Sequence, residues 1–229
     1  MQKRTPWFVQ KACKTSKRTS NLFIIRSILL AAVCFSVFKP AVQAQKVSLD
    51  QQVLIEFMEH RTEGGTRFCK GISNSTQAIA TAIPISVLAA GLITNDKMTI
   101  KKGLYLVETA AFTALATQVM KNSFRRDRPY IKNPDILSTS TSSSYSFPSG
   151  HTSTAFATAT SLTIAYPKWY VAVPAYAWAA SVGYSRMYQG VHYPSDVLAG
   201  AVIGAGSAWL MHKANKWLFK KDVRAVQPY

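Results

Sequence analysis

Apolar residues of this chain gather in five long stretches that short polar connections separate. Each stretch is 15 to 17 residues long, rich in alanine and poor in charge; they cover residues 77–93, 104–120, 152–166, 169–184 and 197–211. Alanine-rich, mostly apolar stretches of this length are typical of helices rather than strands. Another apolar run, residues 28–38, lies near the N-terminus. The pattern predicts an all-α helical bundle with up to six membrane-associated helices.

The first 44 residues have the three parts of an export signal. A basic stretch precedes the apolar run, and Val42-Gln43-Ala44 supplies the small residues of a cleavage site. The apolar segment, taken from Leu22 and interrupted by Arg26, can instead stay uncleaved as a first membrane anchor. Residues 1–44 are therefore predicted to be a signal peptide or an N-terminal membrane anchor.

Three segments follow this leader. Residues 45–75 are predicted to be a periplasmic linker with an amphipathic helix at 48–58, which the glycine-containing stretch 63–66 ends. Residues 76–212 form the helical domain, and residues 213–229 form a basic C-terminal tail. The stretch from 138 to 146 is nearly all Ser and Thr, which indicates a mobile loop inside the helical domain.

Two environments remain open for the helices. A bilayer crossing needs about 20 apolar residues, whereas these stretches are shorter, contain many Ser and Thr residues and include Glu108. Helices in the core of a soluble all-α protein have a similar composition. The charges favour insertion, because six crossings from a cytoplasmic N-terminus place more than half of the 27 Lys and Arg residues on the inner side.

The formal net charge of +17 results from 27 basic and 10 acidic residues. Such a balance suits a nucleic acid, an anionic lipid surface or a phosphorylated substrate. The basic residues are dispersed over leader, loops and tail, without an aromatic-interleaved patch, so no nucleic-acid partner is expected. Cys69 is the one cysteine after the leader, which excludes an intramolecular disulfide there. No obligate protein partner is evident either.

Three short motifs contain the side chains that are suited to chemistry. In chain order they are Lys121-x6-Arg128-Pro129, Pro148-Ser149-Gly150-His151 and Ser185-Arg186-x5-His192-x3-Asp196. In this order and spacing they resemble the type 2 phosphatidic acid phosphatase and vanadium haloperoxidase superfamily over residues 77–211, and the short bacterial lipid phosphatases in particular. The resemblance implies a helical phosphatase with His192 as nucleophile and His151 as the acid histidine.

The basic residues of the motifs suit phosphoryl transfer on physical grounds. A phosphoryl group in transfer spreads negative charge over three oxygens, and fixed cations stabilise it. Arg128 and Arg186 offer planar forks that match phosphate, and Lys121 acts as a compact charge. Arg125, Arg126 and Lys132 are interpreted as solvated residues instead; His60 and His212, outside every motif, are expected to be surface or packed side chains.

The second motif stands just before an apolar helix. Ser149 is placed as its N-cap, Gly150 lets the backbone approach an anion, and free N–H groups there point at phosphate. Ser149 and Gly150 are therefore predicted to bind phosphate. His151 is positioned to protonate the leaving oxygen as general acid.

The third motif pairs a histidine with a carboxylate. His192 lies in a loop that ends at Pro194, and Asp196 opens the next helix. A carboxylate bonded to Nδ1–H would leave Nε2 free to attack phosphorus and would stabilise the positive ring of a phosphohistidine. We expect no metal and no cofactor, because the lysine and arginines would repel a divalent cation and no Cys or Glu cluster accompanies the histidines.

The sequence therefore predicts a phosphoric ester hydrolase that acts on phosphate monoesters or diphosphates of lipids. Lipid A, undecaprenyl diphosphate and phosphatidylglycerol phosphate are the candidate substrates, and the bacterial inner membrane with the site facing the periplasm is the expected location. Two alternatives stay open: a secreted, soluble periplasmic acid phosphatase, and a vanadium-dependent haloperoxidase, since the resemblance implies a pocket that can hold vanadate.

Overall fold

The computed structural model describes residues 47–225, with side chains from residue 49 to residue 217. The predicted leader therefore lies outside the described residues. Seven helices occur within 47–225: α1 (Val47–Glu59), α2 (Glu63–Thr94), α3 (Lys97–Phe124), α4 (Pro129–Lys132), α5 (Gly150–Ala165), α6 (Trp169–Tyr188) and α7 (Pro194–Ala225). This described part contains no strand. The predicted all-α fold is confirmed.

Helix α2 begins earlier than the apolar pattern indicated. Thr62 is its N-cap, and the Thr62 side-chain oxygen accepts a hydrogen bond of 3.1 Å from the Gly65 backbone N–H. The helix predicted at 48–58 corresponds to α1, which ends at Glu59, before the stretch from 63 to 66. That stretch itself starts a new helix of 32 residues, because a capping threonine at a helix start offsets the low helix propensity of two glycines. Similarly, α7 continues through residues 213–225, which were expected to form a separate tail.

A tight turn joins α2 to α3. Asn95 adopts a left-handed conformation (φ 53°) at the end of α2, and Asp96 caps α3 by accepting from the backbone N–H groups of Met98 (3.0 Å) and Thr99 (3.3 Å). Asparagine tolerates the left-handed region, and aspartate is a preferred N-cap, so the turn needs no glycine. The two long helices therefore run antiparallel.

Helix α5 is the centre of the bundle. It packs against α2, α3, α6 and α7, and most of its side chains are buried although they are small. Ala155 and Ala159 meet Ala179 and Val182 of α6 in one core cluster. Small side chains let helix backbones approach closely, which brings the ends of the surrounding helices near one another. This close packing positions the motifs.

Large apolar side chains remain exposed along the outer faces of the long helices. Ile85 is 57% exposed, Leu115 63% and Val202 66%, each of them in mid-helix. Among the described residues, α2 is the one helix long and apolar enough to cross a membrane by length and composition. An apolar outer belt of this kind indicates an apolar surrounding or a binding surface.

Candidate active site

One cavity of about 520 Å³ collects residues of all three motifs. It lies where α3 and α6 end and where α5 and α7 begin. The motif residues that line it are Lys121, Arg128, Gly150, His151, Arg186 and His192. Because antiparallel helices place the end of one beside the start of the next, the bundle brings together groups that are up to 71 residues apart in the chain. Six of the eight predicted site residues therefore share one space.

His192 is almost fully buried, with 2% of its surface exposed. Its Nε2 atom faces the Arg128 guanidinium at 3.4 Å, and its Nδ1 atom lies 3.6 Å from an Asp196 carboxylate oxygen. Burial lowers the pKa of His192 below the ordinary histidine value, although Asp196 favours the protonated ring. The ring is therefore neutral near pH 7, as a nitrogen nucleophile requires.

Asp196 lies behind His192 and away from the cavity, with no exposed side-chain surface. Its Oδ2 atom accepts a hydrogen bond of 3.0 Å from the Tyr193 backbone N–H. The 3.6 Å separation from His192 Nδ1 is longer than a hydrogen bond, but catalytic pairs often tighten only when substrate binds. The placement suits the orienting role predicted for Asp196.

Ser146 is a member of this group that the sequence reasoning missed. Its hydroxyl donates a short hydrogen bond to Asp196 Oδ2 and lies 3.5 Å from His192 Nδ1. Ser146 is fully buried, and so is Phe147, which packs edge-on against Phe124 at 4.9 Å between ring centroids. The Ser/Thr-rich stretch was interpreted as a mobile loop, yet its last residue, Ser146, is buried in the core. Only the apolar Phe147 beside Ser146 could have signalled this burial.

Arg128 is held by the same Ser/Thr-rich stretch. Its Nε donates to the Ser144 backbone oxygen (2.9 Å), and its Nη2 contacts the hydroxyls of Ser142 and Ser144 at 3.1 Å each. Its Nη1 donates to the Val191 backbone oxygen at 3.0 Å. A guanidinium fixed by four neutral acceptors keeps its positive charge uncompensated, which suits an anion in the cavity.

Lys121 and Arg186 complete the cationic wall of the cavity. Both are 7% exposed. Lys121 Nζ donates to the Tyr145 backbone oxygen, and Arg186 Nη1 donates to the Ser73 hydroxyl. Within the described residues the buried Arg186 Nε has no hydrogen-bond partner. An unpaired buried donor is costly unless a ligand satisfies it, so Arg186 is well placed to bind an anion.

The start of α5 supplies Gly150 and His151 to the cavity, but not Ser149. Ser149 is fully buried, and its hydroxyl accepts from the Thr152 hydroxyl at 2.9 Å. It stands at the N-cap position without a side-chain capping bond. Ser149 therefore differs from the prediction: it lies one layer behind the cavity, whereas the helix start beside it faces the cations.

Arg126 corrects an expectation, because it is not a solvated residue. Its guanidinium bridges Asp50 of α1 and Asp196, at 2.8 Å to each. Arg125 and Lys132 are exposed, as expected. The two histidines outside the motifs also lie outside the cavity: His60 contacts the Glu56 backbone oxygen, and His212 packs edge-on to Tyr105. Among the described residues no group of three His, Cys, Asp or Glu side chains could hold a metal ion.

Polar residues outside the motifs line the outer part of the cavity. Lys70 and Asn74 lie one turn apart on α2, and the other lining residues outside the motifs are Thr139, Ser140, Thr141, Ser142, Ser144 and Gln189. Lys70 and Asn74 were not identified from the sequence, because residues 45–75 were interpreted as a linker. The spacing of four residues between Lys70 and Asn74 on one helix face was the available signal.

The PAP2 superfamily model matches residues 102–220, slightly more than half of the chain, and includes all three motifs. The chain belongs to the PAP2 superfamily. This confirms the resemblance drawn from the motifs.

The chain is also similar to two curated phosphatases and to one solved structure. The chain is 35% identical over 115 residues to an undecaprenyl-diphosphatase from Sulfolobus acidocaldarius, covering 50% of this chain and 55% of the relative. It is 32% identical over 125 residues to a lipid A 4'-phosphatase from Bacteroides thetaiotaomicron, covering 49% and 55%. The chain thus spans about half the length of the curated relatives that it matches.

The solved structure is a transmembrane PAP2-type phosphatidylglycerolphosphate phosphatase from Bacillus subtilis. It superposes with a TM-score of 0.65 at 26% sequence identity and covers 86% of this chain and 95% of that one. The helical arrangement of this chain is therefore that of a PAP2 fold.

Proposed function

We propose that this protein is a lipid phosphatase that forms a phosphohistidine on His192. The observation that carries the proposal is the cavity itself: three buried cations and the start of α5 surround the Nε2 side of a neutral histidine. A dianionic phosphate needs such fixed positive charge, and the nucleophile needs an unprotonated nitrogen. The relatives described above are phosphatases of lipids, which supports a lipid as the substrate.

The reaction proceeds in two steps. His192 Nε2 attacks phosphorus while the phosphorus–oxygen bond to the leaving group breaks, and His151 donates a proton to the departing oxygen. Lys121, Arg128 and Arg186 stabilise the charge on the three equatorial oxygens. Water then attacks phosphorus, the phosphorus–nitrogen bond breaks, and His151 takes the proton from that water. The products are the dephosphorylated lipid and inorganic phosphate.

Protonation of His151 depends on the substrate in this mechanism. Without a bound anion, burial and, after it, the charges of Arg186, Arg128 and Lys121 disfavour a positive charge on its ring. A phosphate dianion bound among them compensates this repulsion and favours the protonated ring. His151 therefore becomes protonated when phosphate binds, so it can act as an acid only while substrate occupies the cavity.

The test is phosphate release from purified protein in detergent micelles. Undecaprenyl diphosphate, lipid A, phosphatidylglycerol phosphate and soluble p-nitrophenyl phosphate are compared at equal phosphate concentration, with His192→Ala as the blank. We expect kcat/KM to be at least tenfold higher for one of the lipids, and His192→Ala to release no phosphate. Equal turnover of the soluble ester and every lipid would favour the non-specific acid phosphatase.

The covalent step has its own test. Protein mixed with ³²P-labelled substrate and quenched in alkali should retain label on wild type and not on His192→Ala, because phosphohistidine survives alkali and is lost in acid. Label that persists in acid, or on His192→Ala, would contradict the proposed nucleophile.

We further propose that the bundle spans the inner membrane with the cavity on the periplasmic side. The end of the bundle opposite the cavity has the exposed aromatic residues Trp169 (78%) and Tyr170 (60%) beside Lys168, with Lys97 at the start of α3. Aromatic residues mark membrane interfaces, and basic residues favour the cytoplasmic side. The exposed apolar side chains between the two ends suit contact with lipid.

This orientation is testable by labelling with a membrane-impermeant maleimide in intact cells. In a chain whose three cysteines are replaced by alanine, we introduce Thr141→Cys beside the cavity and Lys97→Cys at the opposite end. We expect label on the first variant alone. Label on Lys97→Cys alone would reverse the orientation, and release of the protein by osmotic shock would contradict membrane insertion.

A further inference from the structure

Helix α1 is connected to the site by a chain of charged groups. Asp50 of α1 contacts the Arg126 guanidinium at 2.8 Å, and the other arm of the same guanidinium contacts Asp196 Oδ1 at 2.8 Å. Arg126 also donates to the Ser195 hydroxyl at 2.7 Å, and its guanidinium carbon lies 3.9 Å from the centre of the Tyr193 ring. The guanidinium is thus fixed on two edges and one face.

Asp50 also contacts the start of α7 directly. Its carboxylate accepts from the Ser195 backbone N–H at 3.3 Å and from the Ser195 hydroxyl. A carboxylate from another helix here satisfies a free N–H of the first turn and interacts favourably with the helix dipole. Leu54, fully buried against Ile136 and Tyr193, anchors α1 beside this contact. The helix that contains Asp196 is therefore held at its first turn by α1.

The two oxygens of Asp196 have separate partners. Oδ1 contacts Arg126, whereas Oδ2 faces His192 Nδ1, the Ser146 hydroxyl and the Tyr193 backbone N–H. Rotation of the carboxylate would exchange these partners. Arg126 opposes that rotation and also compensates the charge of a carboxylate without exposed surface.

We propose that Asp50 and Arg126 are positioning residues, which hold Asp196 in the orientation that directs His192 at phosphate. This rests on the proposed function and extends the catalytic unit to α1, outside the residues 102–220 that the family model matches. Neither side chain lines the cavity, so both act through Asp196. Their loss should reduce the rate of phosphoryl transfer and leave phosphate binding unchanged.

The first experiment separates kcat from KM in isosteric variants. Asp50→Asn keeps the shape of the side chain and removes its charge; Arg126→Lys keeps a charge but cannot bridge both carboxylates. The matched controls are Asp127→Asn and Arg125→Lys, since Asp127 is 53% exposed and Arg125 lies on the surface. We expect a five- to twentyfold lower kcat for each test variant, KM within twofold of wild type, and both controls unchanged.

A double-mutant cycle then tests whether the loss of kcat in Arg126→Lys depends on the Asp196 carboxylate. Arg126→Lys should reduce kcat in the wild-type background but by less than twofold in an Asp196→Asn background, because the carboxylate that it positions is already absent. A role in folding alone would reduce the amount of active enzyme equally in both backgrounds. Active-site titration with ³²P-labelled substrate normalises each kcat to competent protein.

Three results would overturn the proposal: Asp50→Asn and Arg126→Lys equal to their controls, an effect confined to KM, or additive losses in the cycle. If Asp50→Asn does not fold, Arg126→Lys alone decides the question through the cycle. Failure of the proposed function is distinguishable, since His192→Ala would then retain phosphate release, whereas failure of the positioning role leaves His192→Ala inactive.

Discussion

Substitution of Gly200 by alanine should displace the groups of the active site, because it adds a methyl group between two closely packed helices. Gly200 lies in the second turn of α7, against the start of α5, and a Cβ there would stand 2.7 Å from the Ser149 backbone oxygen and 3.1 Å from Thr152 Cβ. Ordinary contact begins at 3.4 Å, so the two helix starts must separate by about 0.7 Å. The Ser149 oxygen cannot turn away, because it accepts the Ser153 N–H at 2.9 Å inside α5.

This separation would move the second motif, which contains His151, relative to the third motif, which contains His192 and Asp196. The Ser149 N–H donates to the Asp196 backbone oxygen at 3.0 Å, so the methyl group strains the bond that joins the second motif to the third. His151 then moves relative to His192. A misplacement of about 1 Å can cost about a hundredfold in rate, so we expect kcat of Gly200→Ala to fall roughly ten- to hundredfold. Overpacking costs about 1–3 kcal/mol of stability, and the better helix propensity of alanine recovers about 1 kcal/mol.

Gly206→Ala is the matched control on the same helix, because its Cβ would meet nothing within 4 Å. It should keep wild-type activity and gain about 0.5–1 kcal/mol of stability. The assays are initial rates with p-nitrophenyl phosphate in detergent and thermal unfolding followed by circular dichroism. A kcat of Gly200→Ala within twofold of that of Gly206→Ala, or a loss of activity only in proportion to the folded fraction, would refute the expected displacement.

Three other predictions concern the chemistry directly. His151→Asn should reduce kcat/KM for lipid phosphates about 10²- to 10⁴-fold but that for p-nitrophenyl phosphate far less, since nitrophenolate leaves without a proton; equal losses would contradict its role as acid. Arg186→Ala should lose about 2–4 kcal/mol of transition-state stabilisation in kcat/KM, and near-normal rates would refute its assignment. Because burial lowers the pKa of His192, the phosphorylation rate with p-nitrophenyl phosphate, corrected for substrate ionisation, should stay level as pH falls from 7 to 5; a loss centred near 6.5 would show an ordinary histidine.

The motif side chains could be predicted from sequence because each motif is short and local. Spacings such as Arg186-x5-His192 define both the residues and the helix ends on which they stand, and the bundle then brings those ends into one cavity. The helical class and the five long helices α2, α3, α5, α6 and α7 followed from the apolar stretches for the same reason. Their lengths did not, because polar residues such as those at 63–76 continue a helix at the bundle end without adding to the apolar pattern.

The supporting residues could not be predicted because their partners are distant in the chain. Asp50 meets Arg126 across 76 positions, and Ser146 meets Asp196 across 50. Locally, Arg126 has the same surroundings as the exposed Arg125, and Ser146 ends a polar stretch that reads as solvent-exposed. Only the tertiary packing of α1 and of the loop against the start of α7 makes Arg126 partly buried and Ser146 fully buried.

The charges on the two sides of His192 explain why this distant support is needed. On the Nε2 side, three cations line the cavity in which phosphate is proposed to bind: Lys121, Arg128 and Arg186. All three disfavour a positive charge on the ring. The proposed phosphoryl transfer to His192 would make the ring positive, and the compensating negative charge would then come from the Nδ1 side. There Asp50, Arg126 and Asp196 together carry one net negative charge, and the arrangement directs Asp196 Oδ2 towards the ring. Without Asp50 the same group would be neutral, and the phosphohistidine would lose the charge that compensates it.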